Sequence, residues 1–225
     1  MSQKKYNQEF KQTVVELYRS GSAVSQLSSE YGVSEVTIYK KASGGAWKRG
    51  LEQDFKTETI TQKWVADISY IHTVRDGWCY LASVLNLHTK KIVGYKFGRR
   101  MTVDLVLDAL DYAVVDQKPM PGLILHTDLG SQYTSEDFQK RLNQYEMVPS
   151  FSRKGCPYDN ACIESFHATL KKEEVYRTRY DGFETARIAL FKYIEGWYNR
   201  KRIHGSIGYL TPDAFEKMCR AAAWK

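Results

Sequence analysis

A chain of 225 residues with 43% hydrophobic side chains can bury a sizeable core, which excludes a disordered or fibrous protein. Its formal net charge of +7 and pI near 9.1 favour polyanionic partners such as nucleic acid. The opening MSQKKYNQEFKQ lacks an apolar signal region and no run approaches a membrane span, while Cys79, Cys156, Cys162 and Cys219 form no C-x-x-C pair; we read a cytoplasmic chain with reduced thiols and no membrane partner.

Residues 7–42 have the pattern of a compact helical unit. Phe10, Val14, Leu17 and Tyr18 recur at helical spacing, and the helix is expected to stop near Ser20 and Gly21. In SAVSQLSSEYGVSEVTIYKK, Leu27 and Tyr31 point to a core, Gly32 permits a tight turn, and Ser34 is suited to cap a third helix. Two short helices about a Gly turn match a helix-turn-helix, whose second helix lies in the major groove. Ser34, Glu35, Thr37, Lys40 and Lys41 would then face duplex DNA. A three-helix protein-interaction module is the alternative.

SGGAWKRGLEQDF is Gly-rich and charged and marks a linker. We divide the chain into a helix-turn-helix unit at 1–45, a linker at 46–58 and a core at 59–225 that ends in a helical tail. QKWVADISYI, WCYLASVLNL and KKIVGYKFG are strand-like, with TVRDG as the first turn. TVDLVLDALDYAVVD has helical period, with Val103, Leu107, Leu110 and Val114 on one face. GLILHTD reads as a strand covered on both faces, SEDFQKRLNQYE as a helix and MVPSF as a short strand. From Asn160 to about Tyr176, and from about Phe183 to Arg200, the pattern is helical again. Hairpin-joined strands followed by alternating helix and strand predict an α/β fold, a mixed sheet flanked by helices.

Three carboxylates stand out. Asp67 lies inside an apolar strand, where an ionised group is costly unless a cation or donors compensate it. Asp128 ends the buried run LILHT, at the carboxyl end of a strand, where α/β sheets place their sites. Glu164 follows GCPYDN, in which Pro157 and Asp159 or Asn160 suit a helix start. Gathered together, the three acids would repel one another without metal. With two divalent ions they form a clamp for in-line phosphoryl displacement. Oxygen ligands select hard cations, so Mg or Mn is expected, as two ions.

The segments QKWVADISYI, LILHTDLGSQYTS and SFSRKGCPYDNACIESFHATLKKE resemble those of retroviral-integrase-like Asp-Asp-Glu transposases of bacterial insertion sequences. Thirty-five residues lie between Asp128 and Glu164, the interval of that family. Asp128, Gly130 and Tyr133 keep its D-x-G-x-x-Y spacing, and Glu164 and Lys171 its gap between acid and base. WYNRKRIHGSIGYLTP looks like the family's closing segment, and residues 1–45 resemble the helix-turn-helix of its upstream reading frame. The resemblance implies a ribonuclease H-like core that cuts element ends and joins them to target DNA. It implies Asp67, Asp128 and Glu164 as catalytic metal ligands and Lys171 on a DNA phosphate near them. It also implies a homo-oligomer when assembled on DNA, in the cytoplasm at the nucleoid. Asn86 stands where we expect the family to show Asp, and the stretch before the core is short. These leave a second reading, a truncated DNA-binding remnant that occupies element ends without cutting them.

His126 and His167 stand close to the acids in sequence and are read as packing or hydrogen-bonding groups. Arg200, Lys201 and Arg202, beside Trp197 and Tyr198, are placed to grip a DNA backbone or to form a solvated face. Tyr176, Tyr180, Tyr193 and Trp197, at near-helical intervals, are read as core.

Overall fold

The structure is a computed structural model that describes residues 13–14, 17–18, 22–32, 57–152 and 160–222. The chain divides into two compact units, residues 1–48 and residues 49–225. In the first, helix α1 (Val24–Tyr31) closes on Gly32, whose φ of 64° is left-handed and whose N–H reaches the Ser28 carbonyl. Val14 and Leu27 are buried and Tyr31 half-buried, as the helical spacing predicts. Ser34, Glu35, Thr37, Lys40 and Lys41 lie outside the described residues, as does the expected linker up to residue 56.

The second unit is built on five strands: β1 (Lys63–Thr73), β2 (Gly77–Asn86), β3 (Ile92–Gly98), β4 (Ile124–Thr127) and β5 (Val148–Phe151). Their order is β3-β2-β1-β4-β5. The first three run antiparallel as consecutive hairpins, and β4 and β5 join in parallel through helical crossovers. The mixed sheet expected from the sequence is present, and β1 is its central strand.

Alternation along β1 sends Trp64 and Ala66 to one face and Val65 and Ile71 to the other. The first face is covered by α2 (Val103–Gln117) and α3 (Glu136–Gln144), which contribute Leu110, Phe138 and Leu142. The second is covered by α4 (Ala161–Glu173) and α5 (Phe183–Phe191), through Ile163, Phe166, Leu170 and Leu190. Asp67 shares the parity of Val65 and therefore belongs to the α4 face. A final helix, α6 (Pro212–Ala222), is tied to the core by Lys91, whose Nζ lies 2.8 Å from Glu216 and 3.0 Å from Asp213.

Several details differ from the sequence reading. The buried stripe of α2 is Leu105, Val106, Ala109, Leu110 and Ala113, with Val103, Leu107 and Val114 only half-buried. Ala109 and Ala113 press against Gly94 of β3, where an added Cβ would stand 2.7 Å from that of Ala113. Small residues on both sides let the helix backbone approach the sheet, and that contact rotates the face. The expected helix from Phe183 to Arg200 continues past α5 as a π-helix over Lys192–Tyr198. It delivers Asn199 to the edge strand, where its side chain exchanges two 3.0 Å hydrogen bonds with the backbone of Ile92. Asn86 donates to the Ile60 carbonyl at 2.8 Å and accepts from the His88 N–H at 2.9 Å. An aspartate could not make the first bond, so Asn86 serves the β2–β3 turn. Cys79, Cys162 and Cys219 are free thiols, and Cys156 lies outside the described residues. Among the described residues, no helix is long and apolar enough to cross a membrane.

Candidate active site

The parallel ladder between β1 and β4 ends at the couple Val65 and His126. Asp67 and Asp128 each lie two residues beyond that couple. Asp67 remains held by β2, paired opposite Ser83. Asp128 sits just past the end of β4, where its Oδ1 accepts the Gly130 N–H at 2.9 Å. A Cβ on residue 130 would come within 2.9 Å of that same oxygen, so glycine gives the carboxylate room. Burial, and then the negative charge of Asp67, push the Asp128 carboxyl above its ordinary range against the pull of the Gly130 N–H.

Glu164 is exposed on the first turn of α4. Asn160 precedes that helix but makes no side-chain cap, and Pro157 and Asp159 lie outside the described residues. Asp67, Glu164, His167 and Lys171 line one open cleft of about 360 Å³. Asp67 therefore faces Asp128 on one side and Glu164 on the other. Among the described residues, no three carboxylate, imidazole or thiol groups are gathered tightly enough to enclose an ion. The acids stand near one another without forming a closed triad. Oxygen donors of this kind, one of them disfavoured in its charged form, fit a hard divalent cation.

His167 stands behind Asp67, largely buried, with Nδ1 3.5 Å from Asp67 Oδ2 and Nε2 3.4 Å from Ser83 Oγ. It thus bears on a carboxylate as well as on packing. His126 is fully buried and engaged by Ser150 at 2.9 Å and Ser152 at 3.1 Å, which fits its reading as a hydrogen-bonding group.

Arg200, Lys201 and Arg202 do not line the cleft. Arg202 binds Glu173 at 3.0 Å, Arg200 approaches Asp213 at 3.8 Å, and Lys201 is exposed. The aromatic reading holds for Tyr180 and Tyr193, which are buried, and fails for Tyr176 and Trp197, which are exposed. Tyr70, Lys172 and Tyr176 also line the cleft and were not singled out as site residues. Lys172 next to Lys171 was the available signal. The exposure of Tyr176 had none, because the turn after α4 sets it.

Comparison with known proteins agrees with this geometry. Two families described as integrase core domain match residues 60–157 and 145–212, and the helix-turn-helix domain of resolvase matches residues 3–45. The transposase InsF for insertion sequence IS3A of Escherichia coli (strain K12) is 43% identical over 166 residues, 74% of this chain and 57% of that one. The transposase for insertion sequence element IS904 of Lactococcus lactis subsp. lactis (strain IL1403) is 43% identical over 167 residues, 74% of this chain and 66% of that one. The chain thus spans less than two thirds of the length of these relatives. Among solved structures, the simian T-cell lymphotropic virus intasome in complex with PP2A regulatory subunit B56 gamma aligns at a TM-score of 0.58 and 13% identity, over 90% of this chain and 74% of that one. The HTLV-2 integrase catalytic core domain in complex with magnesium gives 0.53 and 13%, over 72% of this chain and 99% of that one. At such identity these show the fold, which is that of ribonuclease H-like integrase cores. Over residues 60–212 the chain is thus similar to integrase core domains, and over 74% of its length to transposases of bacterial insertion sequences.

Proposed function

We propose that this chain catalyses metal-dependent cleavage of DNA ends and their joining to target DNA, as a transposase or integrase. The observation that carries the reading is the placement of Asp67 and Asp128 each two residues past the end of the β1–β4 ladder, with Glu164 lining the same cleft as Asp67. Asp67, Asp128 and Glu164 are the proposed catalytic ligands of Mg or Mn, as two ions. Such ions, when bound, activate the attacking water or 3′ hydroxyl and steady the leaving oxygen.

The remaining roles belong to the side chains. Asp67 is carried on the central strand, so its backbone does not yield when charge gathers nearby. His167 fixes the orientation of the Asp67 carboxylate from behind. Lys171, about one turn along α4 from His167 and two from Glu164, meets a DNA phosphate in the cleft. Ser34, Thr37, Lys40 and Lys41 of the unit at 1–45 are proposed to contact duplex DNA, with 46–58 as linker to the core at 59–225. Arg200 and Lys201 are proposed to touch the backbone further away, while Arg202 is held by Glu173. Two ends must be held together for joining, which calls for a homo-oligomer on DNA at the nucleoid.

A strand-transfer assay tests the proposal: labelled duplex ends with free 3′ hydroxyls, the full chain, a supercoiled plasmid, and Mg or Mn. Labelled plasmid is expected only with metal. A folded protein that binds the ends yet joins none in either metal would instead be the DNA-binding remnant.

A further inference from the structure

The cleft of Asp67 and Glu164 does not end at Lys171. Tyr176 lines it and also lines a neighbouring hollow of about 570 Å³, together with His72, Arg177 and Arg179. Both spaces are of the size that holds small ligands, and they share this one ring. Tyr176 is 75% exposed and has no hydrogen bond or ring contact among the described residues. Tyr70, 48% exposed, stands beside it in the cleft.

Cations outnumber acids along the lining of this route beyond Lys171. Glu173 is turned away and accepts from Tyr193 at 2.7 Å and Arg202 at 3.0 Å. Glu174 is taken by Thr178 and Tyr180, each at 3.2 Å. No acid lines the hollow. Lys172 and Arg179 have no ion pair among the described residues, and Arg177 spends only its Nε, on the Lys172 carbonyl at 3.0 Å. The result is an exposed aromatic ring among unneutralised cations, leading directly out of the acid cleft.

Bases inside a duplex have both faces covered by their neighbours, so away from a blunt end an exposed ring can stack only on an unpaired base. Cations beside such rings are how proteins track a single strand. We propose that this route binds an unpaired DNA strand running on from the reacting phosphate, with Tyr176 stacked on a base and Lys172, Arg177 and Arg179 on the phosphates that follow. The proposal rests on the DNA-cutting reading of the acids and adds the path of the flanking strand.

The test uses the full chain in EDTA and a fluorescein-labelled hairpin duplex, either blunt or carrying a dT overhang of about five nucleotides, within the span such grooves cover. The wild type is expected to bind the overhang form about tenfold more tightly, the size of one base–aromatic stack. Tyr176→Ala should bring the overhang-to-blunt ratio close to one, and Tyr176→Phe should keep it. A 2-aminopurine at the first unpaired position should be quenched by the wild type and not by Tyr176→Ala. Changing Arg177 and Arg179 together to Ala should lower the salt slope of overhang binding by about one to two. Because each ratio is taken within one variant, loss of folding would weaken both substrates together. A wild-type ratio near one overturns the proposal, as does a ratio that survives Tyr176→Ala. Cutting of the same hairpin in Mn separates the two readings. Cutting without an overhang preference removes the strand route alone, and an overhang preference without cutting removes the reading of the acids.

Discussion

Asp67 and Asp128 sit side by side, each two residues past the last couple of the parallel β1–β4 ladder, so that two negative charges meet where backbone pairing stops. The Asp128 carboxyl is pushed up by burial first and by Asp67 second. Its folded value lies above its unfolded one, so the ionised form is a cost, and metal-free stability should rise as pH falls through the folded value. Asp128→Asn keeps an acceptor for the Gly130 N–H and removes the charge. In EDTA it should melt a few degrees above the wild type, since about 1 kcal/mol moves a domain of this size by that much. Mg should raise the wild-type melting temperature and hardly move the variant. A variant that melts lower in EDTA, with an undiminished response to Mg, would contradict the shared site.

His167 touches Asp67 and Ser83 from a buried position, so its loss should loosen a proposed metal ligand without removing it. Groups that orient ligands in this way are typically worth about 10–100-fold in metal affinity or activity. His167→Ala should raise the Mn concentration needed for half-maximal cutting by about that factor, and His167→Asn should recover part of it. An unchanged Mn midpoint in His167→Ala would leave the imidazole a packing group only.

His204 gives a pH dependence away from the acids. Its ring lies edge-on to Tyr198 at 5.0 Å, and its buried Nε2 has no hydrogen-bond partner among the described residues. Burial first, and then the charges of Arg202 and Lys90, lower its pKa from 6.5 to about 4. The unfolded chain therefore takes up a proton that the folded chain refuses, and stability is lost as pH falls from 6.5 towards 4. The full shift corresponds to about 3 kcal/mol, an upper bound given the ring's residual solvent contact. His204→Phe should flatten the melting temperature across this window. A profile as steep as the wild type's would assign the loss to other groups.

Glu216 holds α6 on the core. It accepts from Lys91 at 2.8 Å and from Arg220 at 2.9 Å, with its side chain 8% exposed. Removing one partner of a buried pair typically costs about 3–5 kcal/mol. Asp213 still faces Lys91 at 3.0 Å, so Glu216→Ala should cost less, about 2 kcal/mol, in urea unfolding. A loss under about 0.5 kcal/mol, the usual limit for surface substitutions, would show that the tail helix is not fixed by this contact.

Much of the core was readable in the chain. Strand alternation places Val65 and Asp67 on the face that α4 covers, and the short apolar run before Asp128 marks a buried strand end. The helix-start residues of GCPYDN put the third acid, Glu164, at the beginning of a helix, and that helix packs against β1. What escaped depends on contacts between distant residues. α2 is apolar on most sides, so its buried stripe was decided by the close approach of Ala109 and Ala113 to Gly94. Tyr176 fell outside the core because α4 ends at Glu173 and a 3₁₀ turn (Val175–Arg177) breaks the helical period. Arg202 looked like part of a basic run until Glu173, from another helix, proved to be its partner.

The central claim is that Asp67, Asp128 and Glu164 act as one metal-holding set. Its most direct test is single-turnover nicking of an end duplex in Mn by the wild type, Asp67→Asn, Asp128→Asn and Glu164→Gln, each shown by circular dichroism to be folded and by anisotropy to bind the duplex. The account predicts metal-dependent nicking by the wild type. Each variant should lose more than the roughly 100-fold that removal of a merely supporting group can cost. Nicking by any one of the three at the wild-type rate would contradict it.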